Sequence, residues 1–142
     1  YKGIEVEASA RLFETNGVTF MADGVLDYVR ATIRNGGGAV PRIPPLRILG
    51  GLEARSNYWD VRGEIEWVDD QTRVAAFETP TDGHTLVNAA VTFHPWGKRN
   101  ETSVVLSANN IFDVDARRHA SFTKDFVPLA GRDVRLSARF AF

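Results

Sequence analysis

Apolar and polar residues alternate with a period of two along most of this chain. Ile4, Val6, Ala8, Ala10 and Leu12 are apolar, and Glu5, Glu7, Ser9 and Arg11 between them are polar. Successive side chains of an extended strand point to opposite faces, so this is a strand with one apolar face. The pattern returns at Leu46, Ile48, Gly50, Leu52 and Ala54 against Arg47, Glu53 and Arg55, with Leu49 as the exception on the polar side. It is cleanest at Trp59, Val61, Gly63, Ile65 and Trp67, opposite Asp60, Arg62, Glu64 and Glu66. Val87, Ala89, Val91 and Phe93 alternate with Asn88, Thr92 and His94, and Val104, Leu106 and Ala108 with Ser103, Ser107 and Asn109. Val134, Leu136, Ala138, Phe140 and Phe142 alternate with Asp133, Arg135, Ser137 and Arg139. A longer stretch, Val18 to Arg34, has Val25, Val29, Ala31 and Ile33 in phase while Asp27 intrudes, which a bulge would reconcile. The pattern predicts seven strands and no helix. An eighth strand, made by a hairpin at Asp23-Gly24, is disfavoured because Val18 to Ala22 is shorter than the about 9 to 11 residues a membrane strand needs.

The connections alternate in kind. Glu14 to Gly17, Ser56-Asn57-Tyr58 and Pro95 to Asn100 are short, whereas Asn35 to Pro45, Asp69 to Gly83 and Ile111 to Arg132 are long. In an antiparallel meander all short turns then fall at one end and all long loops at the other. Outer-membrane barrels have this asymmetry, with short periplasmic turns and longer extracellular loops. The two tryptophans Trp59 and Trp67 share a face eight residues apart, or roughly 26 Å along a strand and about 20 Å in height at a tilt of some 40°. That is close to the apolar band of about 25 Å, edged by aromatic girdles, of a membrane barrel.

Composition taken as an average points elsewhere. The 142 residues are 44% hydrophobic with a formal net charge of -1 and no Cys, figures that suit one soluble domain. Near-neutral charge gives no reason to expect nucleic acid, which needs clustered Lys and Arg. Without Cys there is no disulfide frame, thiolate metal site or cysteine nucleophile. No run approaches the about 18 consecutive apolar residues of a membrane helix, but alternating strands hide a membrane face from such averages. The chain opens at Tyr1-Lys2-Gly3 with neither Met nor a signal peptide, and reads as a mature or trimmed fragment.

Candidate ligand contacts lie in the long loops: Asp70 and Arg73, Asp82 and His84, and Arg117, Arg118, His119 and Lys124, whose cations could attract an anion. Asp113, Asp115 and His119 fall within seven residues, but the spacing matches no rigid metal motif and no metal site or cofactor is assigned. Ser121 near His119 lacks a nucleophile elbow, and Gly36-Gly37-Gly38 lacks the rest of a phosphate loop, so no catalytic residue is expected. The aromatics expected at a membrane interface are Trp59, Trp67, Phe93, Phe140 and Phe142.

Taken in order, Gly3 to Glu7, Val40-Pro41-Arg42-Ile43-Pro44-Pro45-Leu46-Arg47, Phe77 to Gly83 with Leu86-Val87-Asn88, Asn110-Ile111-Phe112-Asp113, and Gly131-Arg132 before a last strand closing in Phe142 resemble the C-terminal part of a TonB-dependent outer-membrane receptor. The resemblance covers nearly the whole chain. It implies that residues 1–142 are an all-β, antiparallel up-and-down meander of about seven strands within a transmembrane barrel, with no plug domain. It also implies a non-enzymatic parent in the outer membrane of a Gram-negative bacterium, importing a metal chelate of siderophore type, a metal or another small nutrient. The implied partners are outer-membrane lipid, the barrel-assembly machinery through the strand ending in Phe142, and TonB for the full-length parent only; open sheet edges could also self-associate. The alternative is a soluble antiparallel sandwich or lipocalin-like binding module, in which the apolar faces meet one another.

Overall fold

The computed structural model describes residues 1–140. Seven strands form one sheet: β1 (Lys2–Thr15), β2 (Val18–Arg30), β5 (Arg47–Arg55), β6 (Trp59–Val68), β7 (His84–Phe93), β8 (Ser103–Asn109) and β9 (Asp133–Arg139). They lie in chain order and every neighbouring pair is antiparallel, so the fold is an up-and-down meander. A two-stranded ribbon, β3 (Thr32–Ile33) with β4 (Gly38–Ala39), stands apart in the first long loop. Among the described residues there is no helix. The first turn is two residues, Asn16 (φ 48°) and Gly17 (φ 74°), both in the left-handed region that a type I′ hairpin requires.

The register stacks the apolar positions of every strand on one face. Across its middle runs a row of Ala10, Ala22, Leu52, Gly63, Ala89, Ala108 and Val134. This face has no cover: Leu52 is 63% exposed, Ile65 54% and Leu136 71%. Among the described residues the buried apolar side chains are Ala31 and Ala116, both outside the sheet. Two facing sheets with a shared core, as in a sandwich, are therefore not what these strands build. Aromatic residues mark both ends of the band. Trp59 packs on Phe93 with ring centroids 4.3 Å apart, and Phe13 stacks on Phe20 at 4.6 Å, all at the short-turn end. Trp67 and Tyr28 lie at the long-loop end, and Phe140 follows β9 in the open. Phe142 lies outside the described residues.

Three expectations for the second strand are corrected. It ends at Arg30, not Arg34. It runs unbroken through Asp27, and the bulge is instead in β1, where register shifts between Arg11 and Phe13. Its apolar face is Phe20, Ala22, Gly24, Leu26 and Tyr28, in line with Ile4 and Ile48, so Val25 and Val29 lie on the polar side. The cause is electrostatic, because Asp23 and Asp27 have guanidinium partners on the polar face and a one-residue slip would turn both carboxylates onto the apolar one.

Candidate functional site

The polar face is an ion-pair lattice. Arg47 donates to Asp27 at 2.8 Å and to Glu66 at 2.6 Å. Arg62 reaches from β6 across β5 to hold both Asp23 oxygens at 2.5 and 2.9 Å, and also donates to Glu64 at 3.0 Å. Gly51 lies beneath this crossing, and a Cβ there would overlap the guanidinium. Asn88 continues the chain by donating to Glu64 at 3.2 Å, and its Oδ1 accepts the Asn110 amide at 2.9 Å. Near the short turns, Lys98 and His94 converge on Asp60 at 2.6 and 3.2 Å. Mutual pairing of this kind is what allows full charges on a partly desolvated face.

The three long loops are tied to one another at the other end. Glu78, in the second loop, accepts the Arg42 amide of the first loop at 2.7 Å and the Ala75 amide at 2.9 Å. His119, in the third loop and 2% exposed, has Nδ1 at 2.9 Å from the Thr81 hydroxyl. Its Nε2 is 3.3 Å from Glu78 Oε1 but makes no hydrogen bond. Lys124, 5% exposed, donates to the carbonyl and hydroxyl of Thr79. Within the third loop the Asn110 side chain donates to the Val114 carbonyl at 2.9 Å and the Ala130 carbonyl at 3.2 Å and accepts the Val114 amide at 2.9 Å. Burial holds the His119 imidazole below its ordinary pKa, against the pull of Glu78 and with the push of Lys124. Burial alone would raise Glu78, but the Ala75 and Arg42 amides, with His119 and Lys124 nearby, bring it below the usual carboxylate range.

Where this loop knot meets the polar face there is a cleft of about 410 Å³. Pro44, Pro45, Val68, Leu86, Ala120 and Leu129 supply apolar walls, and Arg47, Glu66, His84, Arg117, Arg118 and His119 the polar ones. His84 Nδ1 is buried without a hydrogen-bond partner among the described residues.

No protein-family profile matches the chain, and no curated protein matches it. Among solved structures it is similar to the copper transporter OprC, with a TM-score of 0.80 and 23% sequence identity. The match covers 99% of this chain and 23% of that one, so the chain spans under a quarter of its neighbour's length. At this identity the likeness shows the fold, an antiparallel meander that makes up one section of the neighbour's longer chain.

Of the loop residues singled out from sequence, the structure brings His84, Arg117, Arg118 and His119 to one cleft. Asp70 lies apart from it, exposed beside Asp69, as does the exposed Asp82. Arg73 is occupied by the Ala31 carbonyl at 2.6 Å and the Thr32 hydroxyl at 2.8 Å, and Lys124 by Thr79, so both hold loops together and neither is free for a ligand. Asp113, Asp115 and His119 do not converge: Asp113 caps the Arg132 amide at 2.7 Å, and Asp115 is 3.8 Å from Arg117. Among the described residues no three His, Cys, Asp or Glu are placed to hold a metal ion. Glu78, Thr81 and Asn110, central to the knot, carry no local sequence signal. The Phe77 to Gly83 and Asn110 to Asp113 motifs contain all three, but neither motif singles them out as site residues.

Proposed function

We propose that this chain is a section of the wall of a transmembrane barrel in the outer membrane of a Gram-negative bacterium. On this reading the parent is an importer of the TonB-dependent receptor type that takes up a metal, free or chelated. The observation that carries it is the uncovered apolar face, continuous across seven strands and edged by Trp59 and Trp67, behind an opposite face whose charges on β2, β5 and β6 are paired. A surface of that extent is unsustainable in water, and lipid is the solvent that suits it. The fold shared with a copper transporter supports metal as cargo.

On this reading the long loops face outward, the short turns face the periplasm, and further strands of the same barrel pair with the open edges of β1 and β9, since unpaired backbone has no place in hydrocarbon. TonB acts on the full-length parent, the assembly machinery on its last strand, and no reaction is catalysed by this wall. Membranes of the source bacterium test both parts. The natural protein should stay with the outer membrane through alkaline carbonate washing, and cells lacking it should lose uptake of radioactive copper supplied free or as a chelate. Release into the wash sinks the barrel reading, and unchanged uptake sinks the cargo.

A further inference from the structure

The 410 Å³ cleft between the polar face and the third loop holds chemistry that a barrel wall has no use for. Its lining contains three guanidinium groups, Arg47, Arg117 and Arg118, against one carboxylate, Glu66. Arg47 is held by Asp27 and Glu66, and Arg117 donates to the Lys124 carbonyl at 2.7 Å. The exposed Arg118 side chain has no partner among the described residues. Beside it His119, 2% exposed, turns Nε2 toward Glu78 Oε1 at 3.3 Å, so its ring already faces a carboxylate and Arg118 is the open donor.

A bare cation is poorly served here. A transition metal needs three or more protein ligands, which the described residues do not assemble. An oxyanion fits better, because a free guanidinium offers two parallel donors to a planar carboxylate. The volume and the apolar walls exceed what an inorganic ion would fill and match a small organic molecule.

We propose that this cleft binds an organic molecule with an apolar body and a planar carboxylate, the carboxylate on Arg118 and the body against the Val68, Leu86 and Leu129 wall. The proposal deepens the importer reading, on which it rests for placing the cleft toward the outside. Calorimetric titration of the natural protein in detergent tests it, with 1-naphthoate, its neutral amide 1-naphthamide, and copper(II) chloride as probes. The expected result is one site for 1-naphthoate, weakened about tenfold by Arg118→Ala and about tenfold in the amide. Arg118 is exposed and unpaired, so Arg118→Ala leaves folding intact. No heat from 1-naphthoate, or equal binding of acid and amide, overturns the proposal. So does stoichiometric copper binding that 1-naphthoate cannot share, which would make this a bare-metal site. A protein that binds 1-naphthoate yet washes free of the membrane would retain the cleft and lose the barrel, so the two failures stay distinct.

Discussion

Leu52→Arg separates a lipid-facing sheet from a water-facing one. Leu52 is 63% exposed and pairs with Gly63, four residues along β6 from both Trp59 and Trp67. It therefore sits about 13 Å along the strand from each aromatic edge, at the centre of the apolar band. In water, exchanging so exposed a side chain for Arg changes stability by about 0.5 kcal/mol or less. At a bilayer midplane the same change costs about 2 to 4 kcal/mol, falling to about 0 to 1 near the interface. Ile48 supplies the interfacial control, because it lies on the same strand and face but pairs with Trp67. Denaturant titration of the natural protein in lipid vesicles, followed by tryptophan fluorescence, gives both values by linear extrapolation. The expected outcome is a loss of about 3 kcal/mol for Leu52→Arg and about 0.5 kcal/mol for Ile48→Arg. Losses within 0.5 kcal/mol of zero at both sites, or a larger loss at Ile48, would refute the placement of this face in lipid.

The polar face gives a second test. Arg62 and Asp23, about two-thirds buried, form a bidentate pair, so a double-mutant cycle of Arg62→Ala and Asp23→Ala should show coupling of about 1 kcal/mol. Gly51→Val, by placing side-chain carbon where the guanidinium crosses, should remove most of that coupling, and an unchanged cycle in the Val background would count against the crossing. The loop knot should loosen in acid. His119 has a folded pKa below its unfolded value, so the unfolded state binds more protons below about pH 6.5 and the contribution of the neutral ring declines from there downward. Glu78, also lowered, contributes above its unfolded value near 4.5 and loses that contribution as pH falls through its folded pKa. Hydrogen exchange at the Arg42 and Ala75 amides should therefore accelerate from pH 7 to 4 beyond the intrinsic rate change, with the upper part of the effect missing in His119→Gln. Asn110→Ala removes three buried side-chain hydrogen bonds at a residue with φ 48°, costing the third loop about 2 to 3 kcal/mol. Proteolytic nicking within residues 111–132 should rise accordingly, and wild-type resistance in the variant would contradict the knot.

The clearest strands in the sequence, β1 and β5 to β9, were legible because a period of two is a local property: each residue's neighbours at two positions' distance already decide its face. The first connection reads as short over Glu14 to Gly17, and the structure narrows it to the two residues Asn16 and Gly17. The second strand was misread for the opposite reason. Its apolar face includes Ala22 and Gly24, which give little hydrophobic signal, while the partners that set the phase of Asp23 and Asp27 lie 39 and 20 residues away. The candidate site divides along the same line. Residue type alone drew attention to His84, Arg117, Arg118 and His119, and these do share a cleft. It also drew attention to Arg73 and Lys124, which the fold ties to backbone carbonyls 42 and 45 residues off. Glu78 and Thr81 gained their roles through contacts 36 and 38 residues long, to Arg42 and His119. The sequence by itself determined which face of β1 and of β5 to β9 is apolar, because alternation is written strand by strand. Only the tertiary structure decided which charges are already satisfied and which remain open to a ligand, because pairing depends on where distant loops come to rest.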